Sequence, residues 1–469
     1  MPSARPASRA SIAALVAPSI PFRASLPGSP PFAVRARLLT PLTNGGTAHE
    51  QDGLIEVDAR GRIAFAGAAP SWRGIATRPD VIDLRPMVVM PGMVDLHVHL
   101  PQLPNAGVGS GLDLMTWLQR HIFPLERAWA ERAVAERSAP AAFRAFARAG
   151  TTTMLAYGAV FATSMDAAFA AAEAHGIRAI LGKVMMDRVT YDETIDPSTI
   201  LDRSLRESAD LAARWHGAAD GRLGYAVTPR FAVSCSADML RESAALAASS
   251  GAWWQTHISE DRHEIAEVAR LFPEAIDYVD VYDRAGALGA RTVLAHGVHL
   301  TDREIARLAE TGTRLAHCPA SNLFLASGVM PLARYLQAGL VIGLGSDVAG
   351  GPDLSIFSAM RVGAYVQNAL RVVGDEQRAS LAPLDWLRMG TLDGARALGL
   401  ADAIGSVEAG KEADLILVDP AFVAPVEGVE DDDPADLMSR LIFRAHPDMV
   451  RGAWVRGRRL DGPIAAAPA

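Results

Sequence analysis

From residue 88 onward the chain repeats one unit, a short apolar run followed by a stretch rich in Ala, Arg and Glu with helical spacing. The runs are VVMPGMVDLHVHL (88–100), GTTTMLAY (150–157), RAILGKVMMD (178–187), LGYAVTPR (223–230), WWQTHISE (253–260), TVLAHGV (292–298), TRLAHCP (313–319) and VIGLGSD (341–347). Patterns such as RHEIAEVARLF (262–272) and DREIARLAET (302–311) separate them. Strand-then-helix repetition demands a parallel sheet, because parallel neighbours need a crossover between them. Eight such units are what closes a (β/α)8 TIM-type barrel. Short strands and turns flank the repeat on both sides. DARGRIAFAG (58–67) has the pattern of a hairpin, and GKEADLILVDP (410–420) and GAWVRGRRL (452–460) return to short strands after the last helix. The expected fold is therefore α/β: a barrel over residues 88–399, and a small β-sandwich-like domain that joins 33–87 to 400–460.

Bulk properties narrow the function classes. With 469 residues, 50% of them apolar and 21% charged, the chain has the make-up of a globular enzyme with a large core. A net charge of −8, with no basic run interleaved with aromatics, argues against a nucleic-acid partner. No apolar run reaches the ~18 residues of a membrane span. Cys235 and Cys318 lie far apart, too few for a disulfide framework or a cysteine-rich metal site, so a reducing, cytoplasmic setting is expected. Residues 1–32 are rich in Ser, Pro and Ala, and no acidic residue precedes Glu50. IAALVA is short for a secretory core, and this segment reads as a disordered extension.

The polar residues fall where a barrel would use them. Catalytic groups in this architecture sit at the C-terminal ends of the strands. His97 and His99 stand two apart at the end of the first run, so both rings should project to one face, beside Asp95 of the same parity. Imidazole is the commonest protein ligand for zinc and similar ions. Arg230 ends the fourth run, His257 the fifth, His296 the sixth, His317 the seventh and Asp347 the eighth. Glu260 follows His257 by three, an offset that admits it to the site only if the strand has already ended. GLGSDVAGG lacks the third glycine of a dinucleotide fingerprint and the lysine of a phosphate loop, so it is not read as either. Trp253 and Trp254 are assigned to barrel packing.

HxH followed by His, His and Asp on eight barrel strands, with a β domain from both chain ends, resembles the amidohydrolase superfamily. Over residues 85–460 the chain is similar to its guanine deaminase branch, through VDLHVHLPQ, WLQRHIFPLER, GKVMMDR, VTPRFAVSCS, HISEDRHEI, AHGVHL, AHCPASNLFLASG and GLGSDVAGG. Leu96 departs from the family, which usually has Thr there. The resemblance implies one zinc bound by His97, His99, His257 and Asp347, with His296 hydrogen-bonded to the nucleophilic water. Binuclear relatives use a carboxylated lysine at the end of the fourth strand, where this chain has Arg230; its two lysines are Lys183 and Lys411. The implied reaction is hydrolysis of guanine to xanthine and ammonia. Asp347 and His296 would take the water's proton, and Glu260 would protonate the ring nitrogen and then the leaving amine. Arg230 and the Phe231 backbone would hold the O6/N7 side of the purine and Gln102 the opposite edge. Family members are often homodimers. Three other readings stand beside this one: an aminohydrolase for an oxidised guanine, a pterin or a triazine; a metal-free scaffold; and a sugar- or phosphate-binding barrel.

Overall fold

The computed structural model describes residues 25–73, 80–191, 196–373, 381–426, 428–429 and 431–460. Residues 1–24, most of the expected N-terminal extension, lie outside the described residues. Four strands come first: β1 (Phe32–Pro41), β2 (Thr47–Val57), β3 (Ile63–Ala68) and β4 (Val81–Pro91). The barrel follows with β5 (Met93–His99), β6 (Thr151–Tyr157), β7 (Arg178–Gly182), the short β8 (Val184–Met185), β9 (Leu223–Pro229), β10 (Trp253–Ile258), β11 (Thr292–His296), β12 (Arg314–His317) and β13 (Ile342–Leu344). The chain returns to strands with β14 (Leu415–Val418), β15 (Val450–Val455) and β16 (Arg458–Arg459).

The barrel sheet runs β13-β12-β11-β10-β9-β7-β6-β5, with β8 paired to β9. Its ladders are parallel, as the strand–helix alternation requires. The first and last strands meet at their C-terminal ends: the Asp347 N–H donates to the His97 carbonyl at 2.8 Å and the His99 N–H to that of Val348 at 3.2 Å. This nearly closed barrel is filled by small and branched side chains, among them Val94, Leu96, Ile180, Val293 and Ala316. The helices cover its outside.

The apolar run 88–100 divides at Gly92. Its first part belongs to β4, which pairs with β1 and β14, and its second part is β5. A Cβ at Gly92 would fall 2.0 Å from Thr152 Oγ1, so the chain can cross from one sheet to the other only without a side chain there. The flanking strands form one seven-stranded mixed sheet in the order β16-β15-β14-β4-β1-β2-β3. The C-terminal strands join the N-terminal ones through the antiparallel β14–β4 ladder. A buried ionic cluster ties the two sheets together. Arg178, first residue of β7, donates from Nε to Asp414 Oδ2 at 2.9 Å and pairs through Nη2 with Glu412 at 2.5 Å. Arg456, in the turn after β15, donates from Nε to the same Glu412 carboxylate at 2.8 Å. No helix among the described residues is long and apolar enough to cross a membrane.

Candidate active site

Local backbone geometry, more than simple strand alternation, brings the polar side chains together. In β10, Gln255 reaches across to Thr228 and the Ala156 carbonyl, and His257 shares its parity. In β11, by contrast, Val293 and Ala295 line the barrel interior, so alternation would turn His296 outward. His296 instead has φ +73°, and Asp347, just beyond β13, has φ +48°. Left-handed conformations are costly for residues with a Cβ and persist where the surroundings hold them. In β5 the ladder to β6 shifts register between Asp95 and Val98. His97 and His99 converge across that irregularity with ring centroids 4.9 Å apart, while Asp95 serves the backbone instead. Asp95 Oδ1 accepts the N–H groups of His97 (3.2 Å) and Ser346 (2.9 Å), tying the segment before one imidazole to the segment before Asp347. At Gly345 a Cβ would meet His97 Cβ and Cys318 Sγ at 2.8 Å, which explains the glycine in GLGSD.

Five side chains from four strand ends surround one point. His99 Nε2 lies 3.3 Å from His97 Nε2 and 3.2 Å from His257 Nε2. Asp347 Oδ1 is 3.2 Å from His97 Nε2 and 3.5 Å from His99 Nε2. The ligating atoms of His97, His99 and Asp347 lie within 4.8 Å of one another, as do those of His97, His257 and His296, so His296 stands as near as an expected ligand. Burial and the neighbouring imidazoles hold His99 and His257 well below the usual histidine range. Burial also lowers His97, against the pull of Asp347. Burial alone would raise Asp347, but His97, His296 and the Ser321 hydroxyl together bring the carboxyl down to about 2. The result is neutral rings presenting lone pairs to each other beside an anion. His257 Nδ1 donates to the Arg230 carbonyl at 2.6 Å, which commits Nε2 to the shared point. Such a donor set fits a divalent ion such as zinc, which takes His and Asp ligands in a compact shell. Among these rings, His99 Nδ1 and His296 Nε2 are buried without a hydrogen-bond partner among the described residues.

Beside this cluster stands a buried carboxylate. β10 ends at Ile258, Ser259 has φ +45°, and Glu260 therefore turns into the mouth. The cap of the next helix is Asp261, paired with Glu264 in a capping box, so Glu260 is not spent on the helix terminus. Glu260 Oε1 accepts from Ser327 Oγ at 3.2 Å, and Oε2 lies 3.5 Å from His296 Nε2. Burial raises its carboxyl to about 7. His296 Nδ1 donates to Asn322 Oδ1 at 2.9 Å, so Nε2 faces the gap between Glu260 and Asp347 Oδ2, the latter 3.8 Å away. That Nε2 is buried and makes no hydrogen bond to any described residue. Burial works against a charge on His296, but the two carboxylates raise it overall.

The expected purine contacts lie alongside. Gln102 sits in the short helical turn Leu100–Asn105 directly after β5, and Arg230 and Phe231 follow β9. Gln102 and Arg230 are buried and meet on one carboxylate, that of Glu126. Arg230 Nη1 pairs with Glu126 Oε2 at 2.5 Å, and Gln102 Nε2 donates to Oε1 at 2.8 Å. Burial disfavours the guanidinium, yet Glu126, with Tyr191 and Tyr157, raises it overall. Phe123 packs its ring 5.5 Å from Arg230 Cζ. The Phe231 ring stands edge-on to His257 at 6.3 Å, and its carbonyl accepts from the Ser234 N–H.

Several participants escape strand-end reasoning. Glu126 and Phe123 sit on a helix inside HIFPLER, and Asn322 and Ser327 lie in and after the helix Pro319–Phe324. Tyr157 does end a run, GTTTMLAY, and its ring centroid lies within 4.9 Å of those of His97, His99 and His257. His317 is not among the side chains whose ligating atoms converge; both its ring nitrogens are buried without a hydrogen-bond partner among the described residues, and burial lowers it to about 3. Trp254 packs in the outer core and Trp253 against the inner one.

Known proteins resemble this chain over most of its length. The model of the amidohydrolase family matches residues 88–460, and the chain belongs to that family. Among curated relatives it is 39% identical over 446 residues to the probable guanine deaminase of Deinococcus radiodurans, covering 93% of this chain and 97% of that one. It is 35% identical over 396 residues to the guanine deaminase of Escherichia coli K12, covering 83% and 86%. The solved E. coli guanine deaminase superposes with a TM-score of 0.82 over 91% of this chain and 98% of that one, at 32% identity. A guanine deaminase from C. acetobutylicum with guanine in its active site gives 0.83 over 91% and 99%, at 26% identity.

Proposed function

We propose that the chain hydrolyses guanine at C2 to xanthine and ammonia, with one zinc ion held by His97, His99, His257 and Asp347. The observation that carries this reading is the juxtaposition of two devices at the barrel mouth. One is the convergence of three imidazole Nε2 atoms and a carboxylate, with Glu260 beside it. The other is the buried Arg230–Glu126–Gln102 fork. When bound, zinc supplies Lewis acidity, which generates a nucleophile from water at neutral pH.

The chain's own groups do the rest. His296 Nε2 and Asp347 Oδ2 face the same gap and hold the proton that the nucleophile gives up. Glu260 is raised by burial to about 7, so its Oε2 can both give and take a proton near neutral pH. It protonates the ring nitrogen next to C2, takes up the proton held at His296 and Asp347, and passes that proton to the departing amine as the C2–N bond breaks; the C2 hydroxyl becomes the carbonyl and its proton restores the Glu260 carboxyl. Ser327 fixes the carboxyl through its other oxygen. Arg230 offers donors only, which suits the O6 carbonyl and unprotonated N7 of guanine. The exocyclic amine of adenine at that place would face donors with a donor. Phe231 flanks the same side, and Gln102 reads the opposite edge. The reading carries with it a cytoplasmic homodimer acting on a small molecule, its oligomeric state measurable by light scattering. The test is a panel of guanine, adenine, a pterin and a triazine, read by ammonia release from the purified zinc-loaded protein. Guanine as the preferred substrate is expected. A faster release from any of the others would replace the substrate assignment.

A further inference from the structure

The carboxylate of Glu126 is fully buried, and its partners are the two side chains that the proposed function gives to purine recognition. A buried carboxylate is costly unless both oxygens find strong donors. Oε2 takes Arg230 Nη1 at 2.5 Å and Oε1 takes Gln102 Nε2 at 2.8 Å. Glu126 comes from the helix Phe123–Ala128, outside the set of strand ends. The same helix sets Phe123 against the Arg230 guanidinium.

We propose that Glu126 is a positioning residue for substrate recognition, its two oxygens setting both the place of the Arg230 guanidinium and the sense of the Gln102 amide. The proposal rests on Arg230 and Gln102 being the guanine-reading groups. A carboxylate only accepts, so it forces the amide NH2 of Gln102 toward itself. The amide oxygen is thereby turned the other way, where Oε1 accepts from the Ala349 N–H at 3.4 Å through one of its two lone pairs. An acceptor presented there suits an N–H-bearing edge of the purine, while the unspent donors of Arg230 suit its O6/N7 side. One carboxylate thus fixes donors at one end of the substrate and an acceptor at the other. A neutral or differently oriented group at 126 would scramble that polarity without touching the metal ligands.

The experiment compares Glu126→Gln, Gln102→Glu and the double exchange Gln102→Glu/Glu126→Gln, reading kcat and KM for guanine beside thermal stability and bound metal. A glutamine at 126 has one acceptor oxygen and cannot serve both partners. Glu126→Gln should lose roughly 10–100-fold in kcat/KM, mostly through KM, with metal retained. Gln102→Glu sets two carboxylates against each other and should lose more. The double exchange conserves charge, puts an amide opposite a carboxylate again, and should recover at least about tenfold over Gln102→Glu alone. A merely structural role would move stability and leave that recovery absent. Glu126→Gln within twofold of the parent overturns the proposal. So does a double exchange no better than Gln102→Glu, and that comparison decides the matter if Glu126→Gln does not fold. Arg230→Ala and Gln102→Ala serve as controls. If both leave guanine kcat/KM unchanged, the recognition reading falls; if they reduce it and Glu126→Gln does not, only the role of Glu126 falls.

Discussion

Replacing Glu260 with glutamine separates proton handling from packing. The side chain is 4% exposed, accepts from Ser327 Oγ at 3.2 Å through Oε1, and faces His296 Nε2 at 3.5 Å through Oε2. Glutamine has the same shape, and its carbonyl oxygen can keep the Ser327 hydrogen bond. The folded state therefore changes little: a neutral amide with one preserved partner shifts stability by about 1 kcal/mol or less. Metal binding should also survive, since Glu260 is placed outside the four expected ligands. What disappears is a titratable proton at Oε2. Positioned acid–base groups contribute roughly 10²–10⁴-fold, equivalent to about 2.7–5.5 kcal/mol of barrier at ~1.36 kcal/mol per decade. The assay is initial-rate xanthine and ammonia production over a range of guanine concentrations, with zinc per chain measured on the same preparation. The expected result is a fall in kcat of that size with zinc unchanged. A kcat within twofold of the parent, at equal zinc, would refute the assignment of Glu260 as the proton shuttle.

Other perturbations address separate parts of the structure. His257→Ala removes an Nε2 that lies 3.2 Å from that of His99. Its metal content after dialysis should fall by more than the roughly 10–100-fold cost of losing an outer partner; full zinc retention by elemental analysis would remove His257 from the ligand set. Arg178→Met strips the buried Asp414 and Glu412 carboxylates of a cation at the opposite, N-terminal end of the barrel. Chemical denaturation should show a loss of about 3–5 kcal/mol, while guanine kcat/KM in the folded variant stays within about twofold. An unchanged unfolding midpoint would show that the cluster does not hold the two sheets together.

The alternation of apolar runs and amphipathic helices carries the barrel because strand period, helix period and repeat number are all local properties of sequence. Both chain ends show their strands for the same reason. The division of the 88–100 run is harder to read, since the apolar Val88–Pro91 runs straight into the apolar Met93–Val94 and only the receiving sheet differs. Six strand ends carry conspicuous side chains, and all but His317 reach the mouth. His317 and His296 look alike in AHC and AHG, yet a left-handed turn at His296 sends its ring inward. That conformation is imposed by tertiary packing and leaves no mark in the residue type. Glu260 is legible only through the break at Ser259. Glu126, Asn322 and Ser327 come from helices and loops rather than from strand ends, and their contacts emerge only when those elements fold back over the barrel mouth. HIFPLER marks a family resemblance in the sequence; the carboxylate bridging Arg230 and Gln102 is visible only in three dimensions.

The most direct measurement is the stoichiometry of guanine conversion and zinc on a single sample of purified protein. The account predicts equal amounts of xanthine and ammonia from guanine, close to one zinc per chain, and activity that disappears on chelation and returns with added zinc. Zinc-loaded, folded protein that leaves guanine unchanged, or conversion that persists at full rate after the metal is removed, would contradict it.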